Sequence, residues 1–155
     1  MSKESRNGVK IGDIKVPGLG NPYSSNAFSV FIIDNKDPNH PKVITKIKTG
    51  NRIGELIEGI PAVGGSSPNS LAATNKYLFV SNGTNDNLSV IDIQKKKIVK
   101  TIKLVLDDRL KNLRGIIPYG LTLSPDQKRL YVAESGINAV AVIDINKMKI
   151  LGHIP

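Results

Sequence analysis

The chain has no cysteine, no tryptophan, only two histidines and 5% aromatic residues among 155. Without cysteine it can form no disulfide, no thiolate metal site and no cysteine nucleophile. His40 and His153 both fall in or near segments that read as outer strands, where surface roles are expected. No apolar run reaches the ~20 residues of a membrane-spanning helix, so no membrane contact is expected. The opening "MSKESRNGVKIGD" has no apolar stretch of the kind a secretory leader carries. It implies either a cytosolic protein or a true N-terminus lying upstream. Acidic residues are also scarce: 13 against 22 lysines and arginines, a formal charge of +9. Such a balance invites a nucleic-acid reading. The lysines are not interleaved with aromatics as a base-stacking surface needs, so nucleic acid is not expected as a partner.

What the chain does have is repetition. "LSVIDI", residues 88–93, returns as "VAVIDI", residues 140–145. The longer copies are "PNSLAATNKYLFVSNGTNDNLSVIDIQKKKIVKTIKL" and "PYGLTLSPDQKRLYVAESGINAVAVIDINKMKILGHIP". A fainter half copy, "NAFSVFIIDNKDPNHPKVITKIKTG", precedes them. Each full copy holds four short apolar or alternating runs: 70–74, 77–81, 87–93 and 98–104, then 120–124, 129–134, 139–145 and 149–154. Turn-rich separators such as "NGTND", "SPDQK" and "NKMK" divide them. Four strands joined by three turns make an antiparallel meander, and meanders of this size in series are the blades of a β-propeller. The expected fold is therefore all-β, a partial propeller of about two and a half four-stranded blades. Its organisation is an N-terminal extension (1–25), a half blade (26–50), a linker (51–69), a blade (70–104), a linker (105–118) and a blade (119–155).

The residue types within a blade agree. Small residues (Ser70, Ala72, Ala73, Gly120, Thr122) suit the crowded innermost strand. Lys42, Lys46, Lys48, Lys95, Lys96, Lys97, Lys100, Lys103, Lys147 and Lys149 fall on outer strands or the turns into them. Lysine-rich edges resist edge-to-edge pairing, which accounts for much of the positive charge without a polyanionic partner.

A meander sends alternate connections to opposite faces. The face built from the second-to-third-strand turns and the interblade links is the elaborate one. Its links are "NRIGELIEGIPAVGGSSPN" and "VLDDRLKNLRGIIPY", with helical turns expected at 53–57 and 107–113. Long loops carry function more often than short ones. Arg52, Glu55, Asn82, Asp86, Arg109, Arg114, Tyr119, Glu134 and Asn138 are the candidate ligand-binding residues, grouped around a polar mouth for an unknown small ligand. Taken singly, each is also a solvated loop charge or a turn residue suited to left-handed backbone.

Catalytic chemistry finds no foothold. "GGSSPN" lacks the Gly-Lys-Ser/Thr ending of a phosphate loop and reads as a tight loop entering a strand. Asp34, Asp92 and Asp144 recur once per blade, which suits a turn-capping role; a catalytic site would be unique. Asp107 and Asp108 are adjacent and do not converge on a short helix. No catalytic residue, metal site or cofactor is expected.

"SPDQKRLYVAESGINAVAVIDINKMKILGHIP" and "KYLFVSNGTNDNLSVIDI" resemble the YVTN-type, or YncE-like, β-propeller repeat family. "IPAVGGSSPNS" with "LRGIIPYGLTLSPD" resembles a subgroup in which such a propeller precedes an alkaline-phosphatase-like phosphoesterase domain. The resemblance implies a ring, usually of seven blades, in a bacterial protein that is periplasmic or extracellular. This chain would then be a fragment, with further blades and the phosphoesterase domain as its covalent partners. Three readings follow: a non-catalytic scaffold or ligand-binding module; the N-terminal part of a phosphoesterase; and a quinoprotein-like oxidoreductase propeller.

Overall fold

The computed structural model describes residues 7–17, 28–51, 55–57, 59–62 and 65–155. A short hairpin, β1 (Gly8–Ile11) and β2 (Ile14–Pro17), comes first, within what reads in the sequence as an extension. A two-stranded sheet follows, β3 (Ser29–Asp34) and β4 (Lys42–Lys48). The first link contains a second small hairpin, β5 (Leu56–Ile57) and β6 (Ile60–Pro61). The helical turn expected at 53–57 is therefore not present at 55–57: Leu56 and Ile57 pair as a strand around a left-handed Gly59, φ 83°.

Two four-stranded antiparallel meanders form the rest. The second sheet is β7 (Pro68–Ala73), β8 (Tyr77–Asn82), β9 (Asn87–Asp92) and β10 (Lys97–Lys103). The third is β11 (Pro118–Leu123), β12 (Arg129–Glu134), β13 (Ala139–Asp144) and β14 (Lys149–Ile154). The link between them carries a single 3₁₀ turn, Asp108–Leu110, whose N-cap Asp107 accepts from the Arg109 amide. That falls within the expected helical segment and is shorter than it.

Strand alternation decides which sheet each residue meets. Phe79, Leu88 and Val90 face the third sheet and pack with Leu130, Val132, Ala141 and Ile143. Their neighbours Val80 and Ile91 face the other way, onto Val30 and Ile47 of the two-stranded sheet. The central sheet is thus sandwiched, so all six residues of β9 are buried. β13 spells nearly the same sequence yet is only partly buried, because only one of its faces is covered. Near the axis, β11 packs on β7 and β8.

Local devices recur with the repeat. Asp34, Asp92 and Asp144 end their strands by accepting from the amides of Lys36, Lys95 and Lys147 at 2.9–3.1 Å, the capping role their spacing suggests. The register shifts where β4, β10 and β14 pair with β3, β9 and β13, a bulge that leaves Ile44, Val99 and Leu151 exposed on the outer strands. Most of the outer-strand lysines are exposed, as expected; Lys48 and Lys103 are half-buried.

Candidate ligand-binding cleft

The residue just before each of β3, β9 and β13 has a left-handed backbone: Phe28, Asp86 and Asn138, with φ of 52°, 47° and 52°. Phe28 and Asp86 each reach the link that follows their own strand pair. The Phe28 ring lies against Gly65 so closely that no side chain would fit there. Asp86, 3% exposed, accepts from the Gly115 amide through Oδ2 and the Ile117 amide through Oδ1, both at 2.8 Å. One carboxylate thus fastens the link that leads into the third sheet. That link is also held from its own side: Ile117 O accepts from the Ser135 amide at 3.1 Å and the Ser135 hydroxyl at 2.9 Å. Ile117 has φ 51°, an uncommon and strained state for a β-branched residue. Hydrogen bonds on both sides hold it there.

Above this fastening lies a cleft of about 740 Å³. Asn51, Ile57 and Ala62 from the first link wall one side; Arg114, Gly115, Ile117 and Tyr119 wall the other. The turn 83–87 forms its middle, with Ser67, Asn69, Thr101 and Lys103 completing the lining. Several of its amides are structurally committed. Asn85 Oδ1 accepts from the Asn51 amide at 2.7 Å, and Asn69 donates to Pro118 O at 3.2 Å while accepting from the Ser81 hydroxyl.

Of the residues singled out in the sequence, the cleft brings together Asp86, Arg114 and Tyr119, the last 63% exposed. Asn82 is fully buried, donating to Asn87 Oδ1 at 2.8 Å and Ser89 Oγ at 2.9 Å. Glu55 is exposed on the first link and does not line the cleft. Arg109 also points elsewhere, pairing at 2.8 Å with Asp107, whose carboxyl it holds below the usual range. Asn138 is exposed one sheet further on, beside a shallow depression of about 170 Å³. Glu134 is buried, 1% exposed. Arg52 lies outside the described residues. Lys103 reads as a rim lysine in the sequence, but here it is half-buried and lines the cleft. Ile117, Asn51 and Thr84 carried no signal in the sequence beyond their place in long links and turns.

His153 also departs from expectation. It lies on an outer strand, yet its side chain is only 10% exposed, with Nε2 3.3 Å from Glu134 Oε2. Burial lowers the imidazole from its ordinary value. Burial, with the Asp86 charge nearby, pushes the Glu134 carboxyl up to about 7. Among the described residues no three or more His, Asp or Glu side chains gather to hold a metal.

No family profile and no curated protein sequence matches the chain. Solved structures do. Hydrazine synthase from Kuenenia stuttgartiensis superposes with a TM-score of 0.61 at 29% identity, over 83% of this chain and 30% of that one. A putative 6-phosphogluconolactonase from Bacteroides uniformis gives 0.59 at 11% identity, over 83% of this chain and 36% of that one. Apo AztD from Citrobacter koseri gives 0.52 at 15%, over 82% and 29%. These are β-propeller-like proteins.

The chain is a partial β-propeller. Among the described residues its two four-stranded sheets are blades, and the two-stranded sheet of β3 and β4 packs on the first of them. It spans about a third of the length of each of these structures.

Proposed function

We propose that the chain is a propeller module that captures a small ligand in the cleft over its second blade, within a larger ring. The observation that carries this reading is Ile117. A β-branched residue held at positive φ costs about 1–3 kcal/mol, and such strain concentrates at binding sites. Here it sits, 46% exposed, in the wall of the cleft of about 740 Å³.

The ring reading is supported by the outer face of the third blade. Tyr131, Val140, Val142 and Ile154 occupy the places of Phe79, Leu88, Val90 and Ile102 one repeat earlier. Ile102 is 6% exposed and Ile154 is 52%. That face is built for a further blade, our proposed partner, and Asn138 is aimed to fasten its link as Asp86 fastens Gly115. The YVTN-type assignment rests on the repeated strands. The phosphoesterase context rests on the sequence resemblance alone, and its catalytic residues would lie outside this chain. The 29% identity to a hydrazine synthase favours a second reading, a propeller part of an enzyme whose reacting groups lie elsewhere.

The test is a thermal-shift screen of the full-length protein against small carboxylates, phosphate esters and nucleotides. A compound that stabilises the wild type should lose its effect in Tyr119→Ala and Arg114→Ala. Ile117→Asn should raise the unliganded melting temperature, corresponding to about 1 kcal/mol, and weaken capture. A hit untouched by all three variants, or a destabilised Ile117→Asn, would remove the cleft as the site.

A further inference from the structure

The second and third blades differ most sharply in chemistry beneath the mouth. Aligned 52 positions apart, Asn82 becomes Glu134, Thr101 becomes His153, and Asn87 and Ser89 become Ala139 and Ala141. In the second blade Asn82 bonds to Asn87 and Ser89. In the third, both of those partners are alanine, so a carboxyl replaces an amide where the polar neighbours have gone. Glu134 continues the side of β12 that carries the core residues Leu130 and Val132, and His153 stands opposite the core residue Ala141. Both therefore point into the seam between blades.

Their side chains are 0% and 10% exposed, and Glu134 Oε1, Glu134 Oε2 and His153 Nε2 have no hydrogen-bond partner among the described residues. Yet Nε2 and Oε2 are 3.3 Å apart. Two full charges here would be desolvated with no other group among the described residues to support them, which costs more than a single attraction returns. A neutral acid beside a neutral imidazole avoids that cost. The carboxyl O–H then donates to Nε2, so one bond satisfies an orphan atom on each residue.

We propose that Glu134 and His153 form a buried proton-binding site in the seam, where folding moves one proton from the imidazole to the carboxyl. The proton leaves Nε2 and binds Oε2; no other atom changes hands.

Few other charges face the pair. Asp86, across the seam, is the charge felt by Glu134. β11 offers only Tyr119, which is exposed. Asp144 of β13 is at the far end of its strand beside Arg129, at 3.8 Å. Lys149 of β14 pairs with Asp144 in the strand register, at that same far end. On the other side of Asp86, Lys103 and Arg114 line the cleft.

The consequence is a cancellation. Glu134 is raised from 4.5 to about 7, so alone it contributes stability below 4.5 that is lost as pH rises to about 7. His153 is lowered from 6.5, so alone it contributes stability above 6.5 that is lost as pH falls through its folded value. Below 6.5, and above both 4.5 and the lowered folded value of His153, the unfolded pair holds one proton on the histidine, and the folded pair holds one on the glutamate. The count is unchanged, so the seam is insulated from pH over that range.

The test is urea unfolding of the full chain between about pH 5 and 8, with variants compared with wild type at each pH. The wild-type unfolding constant should show no more than a few-fold change attributable to the pair. In His153→Thr, the second blade's own residue, unfolding should grow easier by up to about tenfold per pH unit between 4.5 and about 7. In Glu134→Gln it should grow easier in the opposite direction, as pH falls below 6.5. Slopes of the same sign, or none, would overturn the proposal. If either variant fails to fold, ¹⁵N NMR of the wild-type imidazole decides. A neutral ring at about pH 6 supports the shared-proton site; an imidazolium there means an ordinary ion pair and refutes it.

Discussion

Asp86 permits a graded perturbation. Its carboxylate takes two backbone amides of the next link at 2.8 Å, and its own backbone sits at φ 47°. Hydrogen bonds to a charged acceptor contribute about 1.5–3 kcal/mol each. Gly115 is half-buried and Ile117 exposed, so water partly rescues their freed amides. The lower end applies, about 3 kcal/mol for both bonds together. Placing alanine in left-handed backbone adds roughly 1 kcal/mol, whereas asparagine and glycine tolerate it. Asp86→Asn keeps one acceptor and should cost about 1.5–2 kcal/mol, Asp86→Gly about 3 and Asp86→Ala about 4. Urea unfolding of the full chain gives the order, and amide hydrogen exchange gives the place: protection at 115 and 117 should fall first. If Asp86→Ala costs less than about 1 kcal/mol, or leaves those two amides protected, the carboxylate is not what fastens the link. If glycine costs more than alanine, the backbone argument fails even if the bonds matter.

Two further pairs of substitutions test the seam by other means. Gly136→Ala would drive a methyl into the Gly115 carbonyl, whereas Gly120→Ala meets only Ala133 Cβ at 3.8 Å; thermal unfolding should show about 1–3 kcal/mol lost for the first and under ~1 for the second. Phe79→Ala, fully buried between blades, should cost about 3–5 kcal/mol, and Tyr131→Ala, its half-buried equivalent one blade on, much less; equal costs would mean that the outer face of the third blade is already covered in solution.

The blade architecture was legible because it rests on what the sequence repeats. Apolar alternation sets which side of a strand is buried, and turn residues set where it ends. Both recur from Val80 to Val132 and from Asp92 to Asp144 without reference to anything distant. What was not legible depends on neighbours. "LSVID" and "AVAVID" read alike, but the first lies between two sheets and the second against one. Leu56 and Ile57 fit a helical turn by composition, and only their pairing with Ile60 and Pro61 makes them a strand. Residues of both long links line the cleft, yet link length did not say which charges point into it. Arg109 is taken up by Asp107 two residues away, a local competition that loop length cannot reveal.

The Glu134–His153 pair went unread for a more instructive reason. A repeat directs attention to what is shared, so a histidine on an outer strand reads as a surface residue like its lysine neighbours. The informative positions are those where the repeat is broken on a buried side. Lys149 falls where Lys97 stands and changes nothing; His153 falls where Thr101 stands, opposite the position where Ser89 has become Ala141. Once the register is known, four substitutions concentrated at one end of the seam stop looking like drift. Removing the partners of Asn82 while placing a carboxyl there would be destabilising by itself, because a buried acid without donors costs several kcal/mol. The simultaneous arrival of an imidazole within hydrogen-bonding reach is the compensation, and it makes the two residues one unit that neither single position announces.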